Sequence, residues 1–313
     1  MKRMKWLTLG IIITVIIVCL YYFIPTTVQI HQTAAIKVNA KAFSRTISDG
    51  EKWQQWWPGK KLPGFHFPTY ELDNYQYSII DRKQYSVVVL IKDNIESMAT
   101  EMNIFPLTTD SIAIIWKGQT IPYSSIFTRI NNYKKMIKLN KQVKSILEHI
   151  QTFYANEDNI YTMHIRKDHV SDSMLISTSF ISREYPSVEN IYMLIDQLKE
   201  FAVKGSAKQT GYPMLNIMHT DSSYLTRVAI PIDKKIKDSG NMVYRWMLGR
   251  GNILVTEVIG GPNTINKAFE ELDNYIADHN RAAPAIPFQS LITNRRENPD
   301  SGKWITNVFW PVM

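Results

Sequence analysis

The second half of this chain contains an internal repeat, which constrains the fold more than any other feature of the sequence. Each copy reads as strand, helix, strand, strand. The first has predicted strands at 174–178, 211–215 and 225–232 and a helix at 191–203, and the second has strands at 253–257, 286–288 and 305–312 and a helix at 265–276. One helix cannot cover the apolar sheet face of such a unit, so the two copies are expected to associate about a pseudo-twofold axis. This arrangement leaves a concave groove between them.

Length and composition set the wider limits. A chain of 313 residues exceeds what one core usually fills, which predicts about two domains plus any appended segment. Cys19 is the only cysteine, so neither an intrachain disulfide nor a thiolate zinc cluster can form. Residues 1–61 carry nine of the Lys and Arg residues against two Asp and Glu, whereas the rest of the chain is nearly balanced. With near-neutral folded parts, nucleic acid is not predicted as a partner.

The N-terminus predicts a membrane anchor. Residues 6–24 carry no charge, and at about 1.5 Å per residue they would span the hydrocarbon core as a transmembrane helix. Lys2, Arg3 and Lys5 precede this segment, so the positive-inside rule holds residues 1–5 in the cytoplasm. The prediction is a single-pass protein of the cytoplasmic membrane, in contact with membrane lipid, with its folded domains outside (periplasmic or extracytoplasmic). A cleaved signal peptide is the alternative.

The segment after the anchor predicts a curved antiparallel sheet with a long helix. Predicted strands lie at 28–38, 75–80, 85–91, 98–105 and 111–117, and predicted helices at 42–47 and 131–154. Trp53, Trp56 and Trp57 run into a Pro-Gly turn signal, and they either pack under the turn, close a pocket mouth or lie at a lipid interface. Polar residues 158–173 are predicted to link this part of the chain to the repeat.

Residues 27–157 resemble the START-like superfamily, also called SRPBCC. The resemblance depends on the order of elements and on Trp53-x-x-Trp56-Trp57-Pro58, which is similar to that family's tryptophan-rich segment. It implies a helix-grip fold in which the sheet wraps the long helix and encloses an apolar pocket. The superfamily includes hydrolases, cyclases and lipid carriers, so the resemblance alone does not define a chemistry.

The repeat resembles the GyrI-like small-molecule-binding domain, the effector-binding domain of multidrug-responsive transcription activators. The residues that carry it are 256–262, which lead into the second helix, and the closing motif 298–312. The resemblance covers about residues 170–313, with the domain itself assigned to 174–313. It implies ligand binding in the groove between the repeats, and some members are hydrolases of small cyclic compounds. The expected fold class is therefore α+β, with a transmembrane helix, a START-like domain and a duplicated βαββ domain.

One departure from the GyrI-like pattern bears on the ligand. The family usually has a glutamate on the last strand, where it serves cation recognition or acid–base chemistry, but this chain has Asn307. An amide cannot exchange a proton near neutral pH. The pseudo-equivalent residue of the first repeat is Arg227, which strand alternation places on the same face. A groove with a guanidinium and an amide predicts a neutral or anionic amphiphilic ligand.

Five residues are candidates for ligand contacts: Arg227, Asn307, Phe309, Tyr185 and Glu257. For each there is a structural alternative: a surface ion pair for Arg227, core packing for Phe309 and Tyr185, and a solvent-facing strand position for Glu257. Glu257 is a catalytic candidate only if the protein is a hydrolase, with this carboxylate as the base. Neither a metal site nor a cofactor motif is present in the sequence.

The sequence therefore favours a membrane-anchored small-molecule-binding protein with two pockets, one in each domain, that captures or senses a hydrophobic or amphiphilic ligand. The alternatives are a hydrolase of a small cyclic or lipophilic compound and a lipid carrier. Whether the protein is an enzyme stays open. A transcription regulator is not predicted, because the sequence offers no DNA-binding helix pair.

Overall fold

The structure is a computed structural model that describes residues 2–123, 125–171, 174–220, 222–247 and 249–313. The chain forms two compact units, one up to Ile160 and the other from Tyr161 onward. Each unit contains an antiparallel β-sheet and helices. The α+β class and the two antiparallel sheets are thus confirmed.

The first unit has a seven-stranded sheet. Its strands are β1 (Gln29–Ile36), β2 (Lys60–Leu62), β3 (Thr69–Leu72), β4 (Tyr75–Lys83), β5 (Ser86–Lys92), β6 (Ser97–Thr108) and β7 (Ser111–Gln119), and its helices are α1 (Lys2–Phe23), α2 (Ala40–Ile47) and α3 (Ile126–Tyr154), with a 3-10 helix at Gly50–Gln55. The sheet order is β1-β7-β6-β5-β4-β3-β2. Strands β2 to β7 therefore lie side by side in chain order, and β1 pairs with β7 at the other edge of the sheet. The short strands β2 and β3 were not predicted.

The long helix α3 packs with one face against the sheet. Its buried apolar residues recur at helical spacing: Met136, Leu139, Val143, Ile146, Leu147 and Ile150. From the sheet, the hydroxyl of the fully buried Tyr77 on β4 lies 3.5 Å from the side-chain oxygen of Gln142 on α3. A stripe of this kind buries apolar area along the whole helix, which accounts for its length.

The three tryptophans pack beneath the turn. Trp53 is fully buried and donates a hydrogen bond to the carbonyl of Ile47 at 2.7 Å. Its ring stacks on that of Trp57 with 5.8 Å between centroids, and the indole of Trp57 donates to the carbonyl of Glu71. A Cβ added to Gly59 would lie 1.8 Å from that same carbonyl oxygen. The turn therefore requires glycine at this position, and of the three predicted roles core packing is the one observed.

The predicted transmembrane anchor is wrong. Residues 6–24 do fall largely within helix α1, but no helix in the part of the chain that the structure describes is long and apolar enough to cross a membrane. The prediction depends on the absence of charge, which is a weaker criterion than apolar character, since Gly10 and Thr14 are uncharged without being strongly apolar. Three further predictions depend on this helix and are not supported either. They are the transmembrane part of the fold, the cytoplasmic-membrane location and the role of the N-terminus as a lipid anchor.

The second unit has an eight-stranded sheet with the two copies of the repeat side by side. Its strands are β8 (Arg166–His169), β9 (Met174–Ser182), β10 (Met214–Thr220), β11 (Ser223–Pro231), β12 (Val243–Trp246), β13 (Asn252–Ile259), β14 (Phe288–Leu291) and β15 (Ile305–Pro311), and its helices are α5 (Val188–Lys204) and α6 (Pro262–Asp278). The short helix α4 (Asp158–Tyr161) precedes β8 and spans the point in the chain where the two units divide. The order is β12-β9-β11-β10-β14-β15-β13-β8. The predicted pseudo-twofold axis passes between β10 and β14.

The edge strands exchange between the repeats. Strand β8 precedes the first copy in the chain but pairs with β13 of the second, and β12 precedes the second copy but pairs with β9 of the first. Each copy thus covers the outer edge of the other, which leaves fewer unpaired backbone groups than either copy would have alone. Strand β8 and helix α4 lie in the segment 158–173 that the sequence assigned to a linker.

Both helices of the second unit pack on one face of the sheet. Ile195 and Leu198 of α5 share a buried cluster with Val228 and Ile230 of β11. On the other side of the axis, Phe269 of α6 lies edge-on to the ring of Trp310 on β15. Because strand side chains alternate, the residues between these positions point to the opposite face, which we call the groove face.

Candidate functional site

The groove face places the predicted polar residues at symmetric positions. Arg227 on β11 pairs in register with Asn216 on β10, and its guanidinium donates a hydrogen bond to the Asn216 side-chain oxygen at 3.0 Å. The pseudo-equivalent position is Asn307 on β15, which lies in register with Ser290 and with Glu257. The guanidinium and the amide thus occupy corresponding places on either side of the axis.

A cavity of about 180 Å³ opens on this face, mainly on the side of the second repeat. The rings of Phe288 and Phe309 stack along its wall with 5.1 Å between centroids. The residues that line it are His169, Val170, Ser171, Gly211, Tyr212, Met214, Met247, Ile253, Phe288, Ser290, Ile292, Asn307 and Phe309. We call it the second-unit cavity. Two of the five predicted residues, Asn307 and Phe309, line it.

The side-chain oxygen of Asn307 is buried and has no hydrogen-bond partner among the residues that the structure describes. A buried acceptor without a partner costs about 1–3 kcal/mol. A ligand hydroxyl or amide in the second-unit cavity would remove this cost by donating to that oxygen. The polar lining of the cavity therefore includes an amide oxygen that is available as an acceptor.

The other three predicted residues do not line this cavity. Arg227 is on the groove face but is engaged with Asn216. Glu257 is on the groove face and solvent-exposed. The ring centroids of Tyr185 and Tyr224 lie 5.6 Å apart. Tyr224 shares its strand face with the buried Val228, so this pair lies on the helix side of the sheet. Burial raises the pKa of the Tyr185 hydroxyl.

A buried arginine of the second unit was missed. Arg295 is 6% exposed and donates to the side-chain oxygens of Gln289 at 2.6 Å and Thr306 at 3.2 Å. Its guanidinium also lies 4.7 Å from the centroid of the Trp304 ring. Desolvation lowers its pKa from the usual value. These contacts connect Arg295 to β14, β15 and the Trp304 ring on the helix side of the sheet. They therefore stabilise the fold on the face opposite the cavity.

A larger cavity, of about 400 Å³, lies in the first unit between α3 and the sheet. We call it the first-unit cavity. Its lining comprises Tyr75, Ile91, Asp93, Glu96, Ser97, Met98, Ala99, Gln119, Thr120, Ile121, Tyr123, Asn132, Lys135, Met136 and Leu139. The four α3 residues among them follow the spacing of one helix face, which a helical projection of the sequence could have revealed.

Polar contacts cross one side of this cavity. Lys135 of α3 forms a 3.2 Å ion pair with Asp93, which follows β5. Tyr123, before α3, donates a hydrogen bond to the carboxylate of Glu96 at 3.2 Å. Both contacts connect the turn between β5 and β6 to the segment around the start of α3. They form one polar end of the cavity, whose lining also includes the polar residues Ser97, Gln119 and Asn132.

The pKa of Asp93 is held below its usual value. Burial alone would raise the pKa of this carboxyl, but hydrogen bonds from the backbone N–H groups of Glu96 and Ile95 and from Lys135 outweigh burial. The folded state therefore binds a proton here less readily than the unfolded chain. The stabilisation that results is complete above the unfolded pKa of about 3.9 and is lost as the pH falls through the lower folded value.

We expect Asp93→Asn to destabilise the protein at pH 7 by about 1–3 kcal/mol, because the Lys135 contact loses its charge assistance. The difference from the wild type should shrink when unfolding is repeated near pH 3. Urea denaturation at the two pH values measures it, and Asp110→Asn, at an exposed turn, controls for the change in net charge. A stability difference that is the same at both pH values would contradict this assignment.

Among the residues that the structure describes, no group of three or more His, Cys, Asp or Glu side chains is placed to hold a metal ion. Both cavities combine apolar side chains with polar ones, as small-molecule sites generally do.

The comparisons with known proteins concern the fold. No protein-family model matches the sequence, and no curated protein matches it. Among solved structures, the C-terminal domain of EcmrR is similar, with 15% identity, a TM-score of 0.41 and coverage of 48% of this chain and 98% of that one. A START superfamily protein from Mycobacterium smegmatis has 13% identity, a TM-score of 0.27 and coverage of 39% and 98%. A hydrolase from Listeria innocua has 8% identity, a TM-score of 0.37 and coverage of 53% and 98%.

Proposed function

We propose that this protein binds small amphiphilic molecules in the interiors of its two units, with residues 27–157 and 174–313 as the two ligand-binding domains. The observation that carries the proposal is the first-unit cavity of about 400 Å³, whose lining combines apolar side chains such as Ile91, Met136 and Leu139 with polar ones. Protein interiors are otherwise packed as densely as organic crystals. This volume lies within the range of known ligand pockets, so it supports binding of a molecule with several carbon atoms.

The second-unit cavity supports a smaller ligand that is neutral or anionic. No carboxylate is among its described lining residues, and Asn307 stands where the resemblance would place a glutamate. Arg227 and Glu257 carry opposite charges on the same sheet face, but neither lines the cavity. A cation would meet no opposite charge in this cavity, so its desolvation would be uncompensated. The stacked pair Phe288 and Phe309 favours a flat apolar body.

The geometry gives the hydrolase alternative less support. A general base must lie within hydrogen-bond reach of the proton it removes. Glu257, the carboxylate predicted for this role, is solvent-exposed and does not line the second-unit cavity. The second-unit cavity therefore favours binding over hydrolysis through Glu257.

Paired probes of opposite charge test the ligand preference. We expect naphthalenesulfonate to bind the second-unit cavity at least about tenfold more tightly than naphthyltrimethylammonium, a difference of about 1.4 kcal/mol. Both probes are titrated into the full chain and into Met214→Trp, in which an indole occupies that cavity. The binding lost in the variant reports on this site alone. Tighter binding of the ammonium probe at the Met214-sensitive site would refute the neutral or anionic preference.

A further inference from the structure

The first-unit cavity contains one polar group whose hydrogen bonding is incomplete. Asn132 on α3 is 4% exposed, and its side-chain nitrogen, Nδ2, has no hydrogen-bond partner among the described residues. The same residue lines the cavity. An unpaired buried amide donor is destabilising, because it has lost its hydrogen bonds to water without gaining others. A ligand that supplies an acceptor to this donor would remove the destabilisation.

The neighbouring polar groups already have partners. Lys135 is paired with Asp93, and Tyr123 donates to Glu96. The Lys135–Asp93 contact pairs opposite charges, whereas Glu96 accepts its hydrogen bond from a neutral hydroxyl. The Asn132 amide is a buried donor in the cavity lining that a ligand can use without breaking an existing contact.

The remaining surface of the chamber selects an apolar body. Ile91 of the sheet and Met136 and Leu139 of α3 are each less than 5% exposed and line the cavity together. Met136 and Leu139 lie one and two helical turns beyond Asn132, so the ligand body would extend along α3 from the amide. Apolar contact over this length is worth about 25 cal/mol per Å² of buried ligand surface.

We infer that the ligand of the first-unit cavity is a neutral, mainly apolar molecule with a hydrogen-bond acceptor, such as a ketone, ester or amide oxygen, that receives the Asn132 Nδ2 donor. This inference deepens the proposed function and rests on it. It distinguishes a carbonyl compound from a hydrocarbon of equal size, whose binding would leave the amide unpaired.

The test uses acetylnaphthalene and ethylnaphthalene, which differ only in that the first has a carbonyl where the second has a methylene group. Fluorescence titration of the full chain should give an affinity for the ketone about three- to tenfold higher than for the hydrocarbon, the ratio that one net hydrogen bond of about 0.5–1.5 kcal/mol supplies. In Asn132→Leu and Asn132→Asp, neither of which offers an amide donor, that ratio should fall to about one. Asn131→Leu, at the adjacent exposed asparagine, is the matched control and should keep the wild-type ratio.

The outcomes distinguish a failure of this inference from a failure of the proposed function. Equal affinities for the two probes in the wild type, or a ratio that survives in both Asn132 variants, would overturn the carbonyl preference and leave small-molecule binding intact. Failure of both probes to bind the wild type would overturn the proposed function together with the inference. Asn132→Asp preserves the side-chain shape, so the test stands even where Asn132→Leu is too unstable to measure.

Discussion

Trp53→Ala is expected to lower the free energy of unfolding of the first unit by about 3–5 kcal/mol, the usual cost of removing a buried tryptophan. Trp53 is fully buried, it stacks with Trp57, and its indole donates a hydrogen bond to Ile47. Loss of the ring leaves a cavity and an unpaired carbonyl in the same place. Denaturation followed by circular dichroism measures the effect, with attention to two transitions because the chain has two units.

The matched control is Trp246→Ala. Trp246 on β12 is 62% exposed, so its removal should change stability by no more than about 0.5 kcal/mol. A similar small loss for both variants would show that the tryptophan cluster does not stabilise the first unit. It would also remove the physical reason for the tryptophan-rich turn that the sequence presents before Pro58-Gly59.

Met136→Trp is expected to weaken binding of acetylnaphthalene to the first-unit cavity at least tenfold, about 1.4 kcal/mol. Met136 is 4% exposed and lines that chamber, and an indole in its place would occupy space that the ligand needs. Because the side chain can extend into the existing cavity, we expect a smaller change in stability than the 1–3 kcal/mol typical of overpacking. Fluorescence titration of the purified variant measures the affinity.

Met193→Trp provides the comparison for this variant. Met193 is on α5 and is 51% exposed, so the same substitution there adds an indole without filling either cavity. Its affinity for acetylnaphthalene should match that of the wild type. If Met136→Trp binds the probe as tightly as Met193→Trp does, the ligand does not occupy the first-unit cavity.

The sequence predicts the order of the main elements because their signals are local. Apolar residues at helical spacing identify the α3 region, and alternating apolar residues identify most strands of both sheets. Periodicity does not reveal the short edge strands β8 and β12. Each has four residues with no buried position and forms only by pairing with the repeat that it does not precede. Such non-local pairing leaves no local signal in the sequence.

The candidate sites were predicted less completely than the fold. Strand alternation correctly placed Arg227 and Asn307 on one sheet face, but it could not show which of them borders a cavity, because that depends on the segments around Val170 and Met247 that cover the groove. The first-unit cavity was expected only through a resemblance. Asn132 lies on the helix face of Met136 and Leu139, yet an isolated polar residue in a helical pattern carries no signal of an unpaired amide.

The most direct test of the proposed function measures how many ligand molecules bind to each chain. Equilibrium dialysis of the full chain with acetylnaphthalene should give about two bound molecules per chain, about one in Met136→Trp and about one in Met214→Trp, because each substitution fills one of two separate chambers. The variant with both substitutions should bind none. Unchanged binding by this double variant would contradict the claim that small molecules occupy the interiors of the two units.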